Sequence, residues 1–257
     1  MFMLSPNANG HCSNKRIVFT EGGKGGVGKT AVCLGIADWY QSKQIPFIPL
    51  DLDTENKAVG SLQHYFPNAQ KVKVHTDAGL DIFLSIFADG QADTVLADMG
   101  GGAGDVTHQW FQFMKEDFSA LGLTFTAIGV VTPDPASVES VLTWAANLQD
   151  HVQYLVIENA TTSNPDFTYW RQSSEAHAFR NTLNPVVISM EFRLPELERI
   201  ARQHGVTLRS IGSKSAPVAQ QLQIAHIIRA QRYAQRFAAQ LDTAASLLLP
   251  SSVPQTA

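Results

Sequence analysis

Glu21-Gly22-Gly23-Lys24-Gly25-Gly26-Val27-Gly28-Lys29-Thr30 stands directly after the apolar run Ile17-Val18-Phe19 and directly before the helical pattern Ala31-Val32-Cys33-Leu34. Gly23, Gly28, Lys29 and Thr30 meet the spacing G-x-x-x-x-G-K-[ST], in the strand, loop, helix order that a phosphate cradle requires. Glycines let the backbone curl so that successive N–H groups point inward. The following helix adds its positive end, so several partial charges meet on one anion. On this reading Lys29 reaches the β- and γ-phosphates of a nucleotide and the Thr30 hydroxyl binds Mg²⁺.

Working outward from the loop, apolar strand-like runs recur at Ile17–Thr20, Phe47–Leu52, Thr94–Asp98, Thr124–Val131, Tyr154–Ile157 and Val186–Met190, with helical patterns between most of them. Such alternation predicts an α/β fold: a single-domain P-loop NTPase with a mostly parallel central sheet and helices on both faces. At 257 residues and 44% hydrophobic composition the chain can bury a full core, and no Pro/Gly/Ser-rich linker divides it. We expect an amino-terminal arm at 1–15, the ATPase domain at 16–249 and a disordered tail at 250–257. No apolar run approaches 18 residues and the polar start has no secretory character, so a cytoplasmic protein is expected. Two cysteines, Cys12 and Cys33, fit a reducing compartment.

In open α/β sheets ligands bind at the carboxyl ends of the strands, so the chemistry is expected at those ends. Asp51 and Asp53 close one strand two residues apart, hence on the same side, where their repulsion calls for a shared cation or water. Capping of the next helix by Asp53 or Thr54 is the competing reading. Thr94-Val95-Leu96-Ala97-Asp98 ends in an acid suited to holding a metal-bound water opposite Thr30. The glycines after it, Gly101 among them, let a backbone N–H approach a γ-phosphate. Asn159 ends a later strand and offers both a donor and an acceptor; Ala160 and Thr161 follow it, so the guanine-reading pattern N-K-x-D is absent and ATP is favoured over GTP. Lys24 is a cation among glycines, and such a charge is held where an anion justifies it.

Lys24 to Thr30 match K-G-G-x-G-K-[ST] residue for residue, and the chain resembles the ParA/MinD family of deviant Walker A ATPases. The resemblance runs through roughly residues 15 to 200, and only the loop is highly specific. It implies an ATP-bound homodimer in which Lys24 crosses to the nucleotide of the other subunit, and nucleotide contacts from Gly23, Lys24, Gly25, Gly26, Val27, Gly28, Lys29 and Thr30. It further implies that Asp53 contacts the attacking water, that Asp51 supports the Mg²⁺ shell with Thr30 and Asp98, and that Asn159 and the loop at Pro195 lie by the base. Thr132 to Ser137 resembles the family's connection after the next strand. One departure is that no proline follows Asp98 at the second position; Asp98 and Gly101 match only D-x-x-G.

Charge is unevenly placed. Residues 170–240 hold ten Lys/Arg against four Glu, a balance of +6 that leaves −10 elsewhere for the total of −4. Arg229, Arg232 and Arg236 are spaced three and four apart on a helical pattern and so share a face, either a solvated one or one able to hold DNA phosphates without reading sequence. No cysteine follows Cys33, which excludes an iron–sulfur reductase of this loop type, and no Lys or Arg follows Arg236, so stable membrane association is not expected. The fifteen or so residues before the first strand are too few for a helix-turn-helix.

These readings converge on a weak, Mg²⁺-dependent ATPase that works as a nucleotide-switched dimer, with a partner protein that speeds hydrolysis and with plasmid or chromosome partition as the setting. Two alternatives stay open. One is a conjugation or mobilisation accessory ATPase. The other is an ATP-dependent ligase of the dethiobiotin-synthetase kind, for which the segment from Thr161 to Asn181, with Tyr169, Trp170 and Arg171, would supply the second substrate's site.

Overall fold

Among the described residues, six of the seven strands fall on the apolar runs read from the sequence. The computed structural model describes residues 15–21, 23–53, 59–73, 76–88, 92–100 and 104–250. Most of the expected arm and tail therefore lies outside the described residues, as does Gly101; Lys15 belongs to the first strand instead of the arm. From the amino end the elements are β1 (Lys15–Thr20), α1 (Lys29–Ser42), β2 (Ile48–Asp51), α2 (Leu62–Tyr65), β3 (Gln70–Lys71) and α3 (Asp77–Ala88). The middle comprises β4 (Thr94–Asp98), α4 (Gly104–Ala120), β5 (Leu123–Val131), α5 (Pro135–Leu148) and β6 (Gln153–Asn159). After these come α6 (Thr168–Gln172), α7 (Ser174–Leu183), β7 (Val186–Met190), α8 (Pro195–His204), α9 (Leu208–Gly212), α10 (Ile224–Thr243) and α11 (Ala245–Leu248).

The strands form one seven-stranded sheet in the order β3-β2-β4-β1-β5-β6-β7, and every pairing is parallel. Because side chains alternate along a strand, each run feeds two cores. Ile17, Phe19, Val95, Ala97, Phe125, Ala127, Tyr154 and Val156 join Trp110, Phe118, Val141 and Trp144 of α4 and α5 on one face. Val18, Leu96, Ile128, Leu155 and Ile157 join Val32, Cys33 and Ile36 of α1 and Phe237 and Leu241 of α10 on the other. Burial on both faces explains why the central strands read as continuous apolar runs, each full side chain contributing about 1.5–3 kcal/mol.

The same alternation decides which polar residues look toward α1. Thr20, Asp51, Asp98 and Asn159 share the parity of Val18, Leu96 and Ile157, whereas Glu21 and Glu158 share that of Phe19 and Val156. Asp51 and Asp98 are register partners on neighbouring strands. At the opposite end of the sheet the Arg16 guanidinium donates to the carbonyls of Leu249 and Ser246, to Thr126 Oγ1 and to Gln153 Oε1, tying α11 across three strands. Among the described residues no helix is long and apolar enough to cross a membrane.

Candidate functional site

The loop after β1 wraps the start of α1. Gly26 and Gly28 have φ of 77° and 97°, a left-handed conformation that a side chain resists, and Gly28 is the residue from which α1 begins. A Cβ on Gly28 would lie 2.6 Å from the Asn159 amide nitrogen, so glycine is required there twice over. The Lys29 ammonium donates to the Lys24 carbonyl at 2.8 Å and closes the loop on itself. Burial lowers the Lys29 pKa, while the charges of Asp98 and Asp53 work to raise it, so both acids stand close to this lysine.

Asp98 ends β4 fully buried beneath the loop. Burial pushes its carboxyl up to about 6, as does the charge of Asp51; the Thr30 hydroxyl and the Lys29 ammonium pull the other way. Thr20 donates its hydroxyl to Asp98 Oδ1 at 3.4 Å and accepts from the Met99 amide at 3.0 Å, which fixes the strand end. Asp98 Oδ2 has no hydrogen-bond partner among the described residues. A buried acceptor left open beside Thr30 is what a hydrated Mg²⁺ would satisfy, so the residues present fit that ion.

Asp53 is half-buried, and a Cβ on Gly100 would lie 2.7 Å from its Oδ1, so the carboxylate rests against the backbone that follows Asp98. Asp51 is fully buried and holds its own surroundings together. It accepts from the Asp53 amide at 3.2 Å and the Gln63 amide at 3.1 Å, with Lys71 Nζ at 3.8 Å.

Asn159 lies against the loop, donating its amide to the Val27 carbonyl at 2.7 Å and accepting from Arg193 Nη1 at 3.3 Å. Pro195 is exposed at the first position of α8, and Arg193 two residues before it pairs with Glu198 at 2.6 Å. Arg193 thus joins the two loops expected near the base, a role with no sequence signal beyond its nearness to Pro195. Lys24 is exposed; its ammonium lies 3.3 Å from Asp134 Oδ2, and its backbone N–H donates to Ser140 Oγ at 3.1 Å.

The structure brings Gly23 to Thr30, Asp51, Asp53, Asp98 and Asn159 to one end of the sheet. Glu21, adjacent to the loop in sequence, does not belong there. Its side chain turns to the α5 side against Gly129 and Val141, with both carboxylate oxygens unpartnered among the described residues, and burial pushes its pKa up to about 8. In the segment proposed as a second substrate's site Trp170 is buried, Tyr169 is exposed, and the exposed Arg171 makes two hydrogen bonds to Glu158, at 3.1 and 2.6 Å. Arg229, Arg232 and Arg236 lie exposed along α10, well away from the loop in sequence, and Arg236 bonds both oxygens of Glu191 at 2.9 Å.

No protein-family model matches the chain, and no curated protein sequence matches it. Among solved structures it is similar in fold to the MinD cell division protein of Aquifex aeolicus, at 17% identity and a TM-score of 0.52, over 95% of this chain and 100% of that one. It is also similar to the septum site-determining protein MinD of Pyrococcus horikoshii OT3, solved with Mg-ADP, at 14% identity and a TM-score of 0.51, over 91% and 99% of the two chains.

Proposed function

We infer from the fold, a seven-stranded parallel sheet with helices around it like that of the MinD proteins, that the chain is a P-loop NTPase. We propose that this chain is a Mg²⁺-dependent ATPase that dimerises on binding ATP. The observation that carries the reading is the meeting of Lys29, Thr30, Asp53 and Asp98 under a loop whose glycines at 26 and 28 are left-handed, the curl that a phosphate cradle needs. Gly23 to Thr30 hold the phosphates. Thr30 and Asp98 hold the hydrated Mg²⁺, and Asp51 supports Asp98 from the neighbouring strand; that the similar Pyrococcus protein was solved with Mg-ADP supports the choice of ligand. Bound Mg²⁺ supplies charge neutralisation across the phosphates. Asp53 positions water; with no strong base beside it among the described residues, turnover is slow unless a partner protein completes the site.

Lys24 is the dimerisation residue: exposed, on the rim of the loop, and held by a surface contact that it can exchange for a phosphate of a second subunit. The decisive experiment compares solution mass with and without ATP in an Asp53→Ala background. Parent Lys24 should give a dimer; Lys24→Ala should stay monomeric yet bind ATP, and Lys29→Ala should lose ATP itself. A Lys24→Ala protein that dimerises as the parent does would remove the reading's support.

DNA partition is the setting we favour, with non-specific duplex binding through Arg229, Arg232 and Arg236. Their exposure on one helix face supports it. A conjugation accessory role would use the same switch. In the ligase alternative's candidate second site Trp170 is buried and Arg171 is paired with Glu158, which favours the switch reading.

A further inference from the structure

Beside α1 lies a cavity of about 590 Å³, walled by α1, α9, α10, the end of β7 and the segment around α8. Its size is that of a small-molecule site. Ala31, Leu34, Gly35, Asp38, Trp39 and Ser42 line it, spaced three and four apart, so one whole stripe of α1 faces it. Val206, Leu208 and Phe237 make the opposite walls mostly carbon. It does not overlap the nucleotide site, for none of residues 23–30, Asn159 or Pro195 lines it.

The acids of the lining differ in their company. Glu191 pairs with Arg236 and Glu198 with Arg193. Asp38 is only 9% exposed and accepts from the Thr207 hydroxyl at 2.8 Å and from the Arg209 amide, but it has no ion-pair partner among the described residues. The charge of Arg209, which also lines the cavity, acts on Asp38 without forming an ion pair with it. A buried carboxylate that faces a largely apolar space with no cation in direct contact is costly, and its complement is a cation that brings its own apolar body.

We propose that this cavity binds an organic amine, its ammonium on Asp38 and its apolar body along Leu34, Trp39 and Phe237. The site stands next to the base end of the nucleotide site, since Arg193 lines the cavity and bonds Asn159 at 3.3 Å.

Titration calorimetry on the nucleotide-free full chain tests this with 4-phenylbutylamine, 4-phenylbutanol and 4-phenylbutyrate, three probes of like size that differ in charge. Because no ATP is present, the outcome is independent of the ATPase reading. The amine should bind at one site, at least tenfold more tightly than the alcohol, with the carboxylate weakest. Asp38→Asn should bring amine and alcohol to parity. Ala234→Trp, which fills the cavity from α10 and leaves Asp38 in place, should abolish binding of all three. Equal affinity of amine and alcohol in the parent, absence of saturable binding, an amine preference that survives Asp38→Asn, or parent-like binding by Ala234→Trp would each overturn the proposal.

Discussion

Lys24 Nζ lies 3.3 Å from Asp134 Oδ2 of its own chain, although 110 residues separate them in sequence. Asp134 also caps α5, its Oδ1 accepting from the Ala136 amide at 3.0 Å. The lysine that would reach a second subunit is thus held in cis by a residue that has a separate structural task. Asparagine caps a helix as well as aspartate does, so Asp134→Asn removes the charge and keeps the cap. Both groups are about half exposed and solvent screens the pair, so we predict a modest effect, a dimer midpoint about two- to fivefold lower in protein concentration with ATP. Sedimentation at a series of concentrations reads it; a weaker dimer in Asp134→Asn would mean that the contact helps assembly.

Asp53 and Asp98 both act on Lys29, yet their loss should be felt differently. Asp98 is buried and presents the open oxygen beside Thr30, so Asp98→Ala should weaken Mg²⁺-dependent nucleotide binding as well as turnover. Asp53 is half-buried against Gly100, so Asp53→Ala should bind Mg-ATP nearly as the parent does and hydrolyse it on the order of a hundredfold more slowly, having lost only the orientation of water. Equal turnover in Asp53→Ala and the parent would assign water positioning elsewhere.

Much of this site is legible in the sequence because its signals are local. The loop is contiguous, the strand ends are marked by single polar residues after apolar runs, and two-residue spacing puts Asp51 and Asp53 on one side. What escapes is set by distance or by parity. Arg193 meets Asn159 from 34 residues away, and Lys24 meets Asp134 because β1 and β5, far apart in sequence, are neighbours in the sheet; no spacing rule connects either pair. Glu21 adjoins the loop in sequence but follows Phe19 to the opposite face. β3 is only Gln70-Lys71, both exposed, and so lacks the apolar signature on which strand reading depends.

Glu21 makes the fold sensitive to pH. Its carboxyl ordinarily titrates near 4.5 and is raised to about 8 by burial, with no partner for either oxygen among the described residues. Between those values the unfolded chain releases this proton and the folded one keeps it. Stability from this residue is therefore full below about pH 4.5 and is lost as pH rises toward 8, by up to about 1.4 kcal/mol per pH unit. Glu21→Gln should remove that slope, matching the parent near pH 5 and exceeding it at pH 8 in urea unfolding. Asp38 and Asp98, also raised, act alike in both proteins, so the difference isolates Glu21. Parallel curves across pH 5 to 8 would show that its carboxyl is not held neutral.

The basic stripe on α10 is not three equivalent charges. Arg236 is bound by both oxygens of Glu191 at 2.9 Å, whereas Arg229 and Arg232 are exposed and make no ion pair among the described residues. If the stripe holds duplex phosphates, affinity should fall steeply with salt for any sequence, because each neutralised phosphate releases counterions. A dimer joins two stripes, so ATP would switch binding on by linking weak sites, with nothing new required of either subunit. Replacing Arg229 and Arg232 by alanine should weaken binding and flatten the log–log salt slope by roughly 0.9 for each phosphate that is no longer neutralised, leaving ATPase activity in place. Arg236→Ala alone should change little, while Glu191→Ala should free Arg236 and tighten binding, the opposite of what loss of a structural ion pair would do. Electrophoretic shift of a short duplex at several ionic strengths separates these outcomes. A parent protein with ATP that shows no salt-sensitive duplex binding would leave the nucleotide switch standing and remove DNA as its cargo.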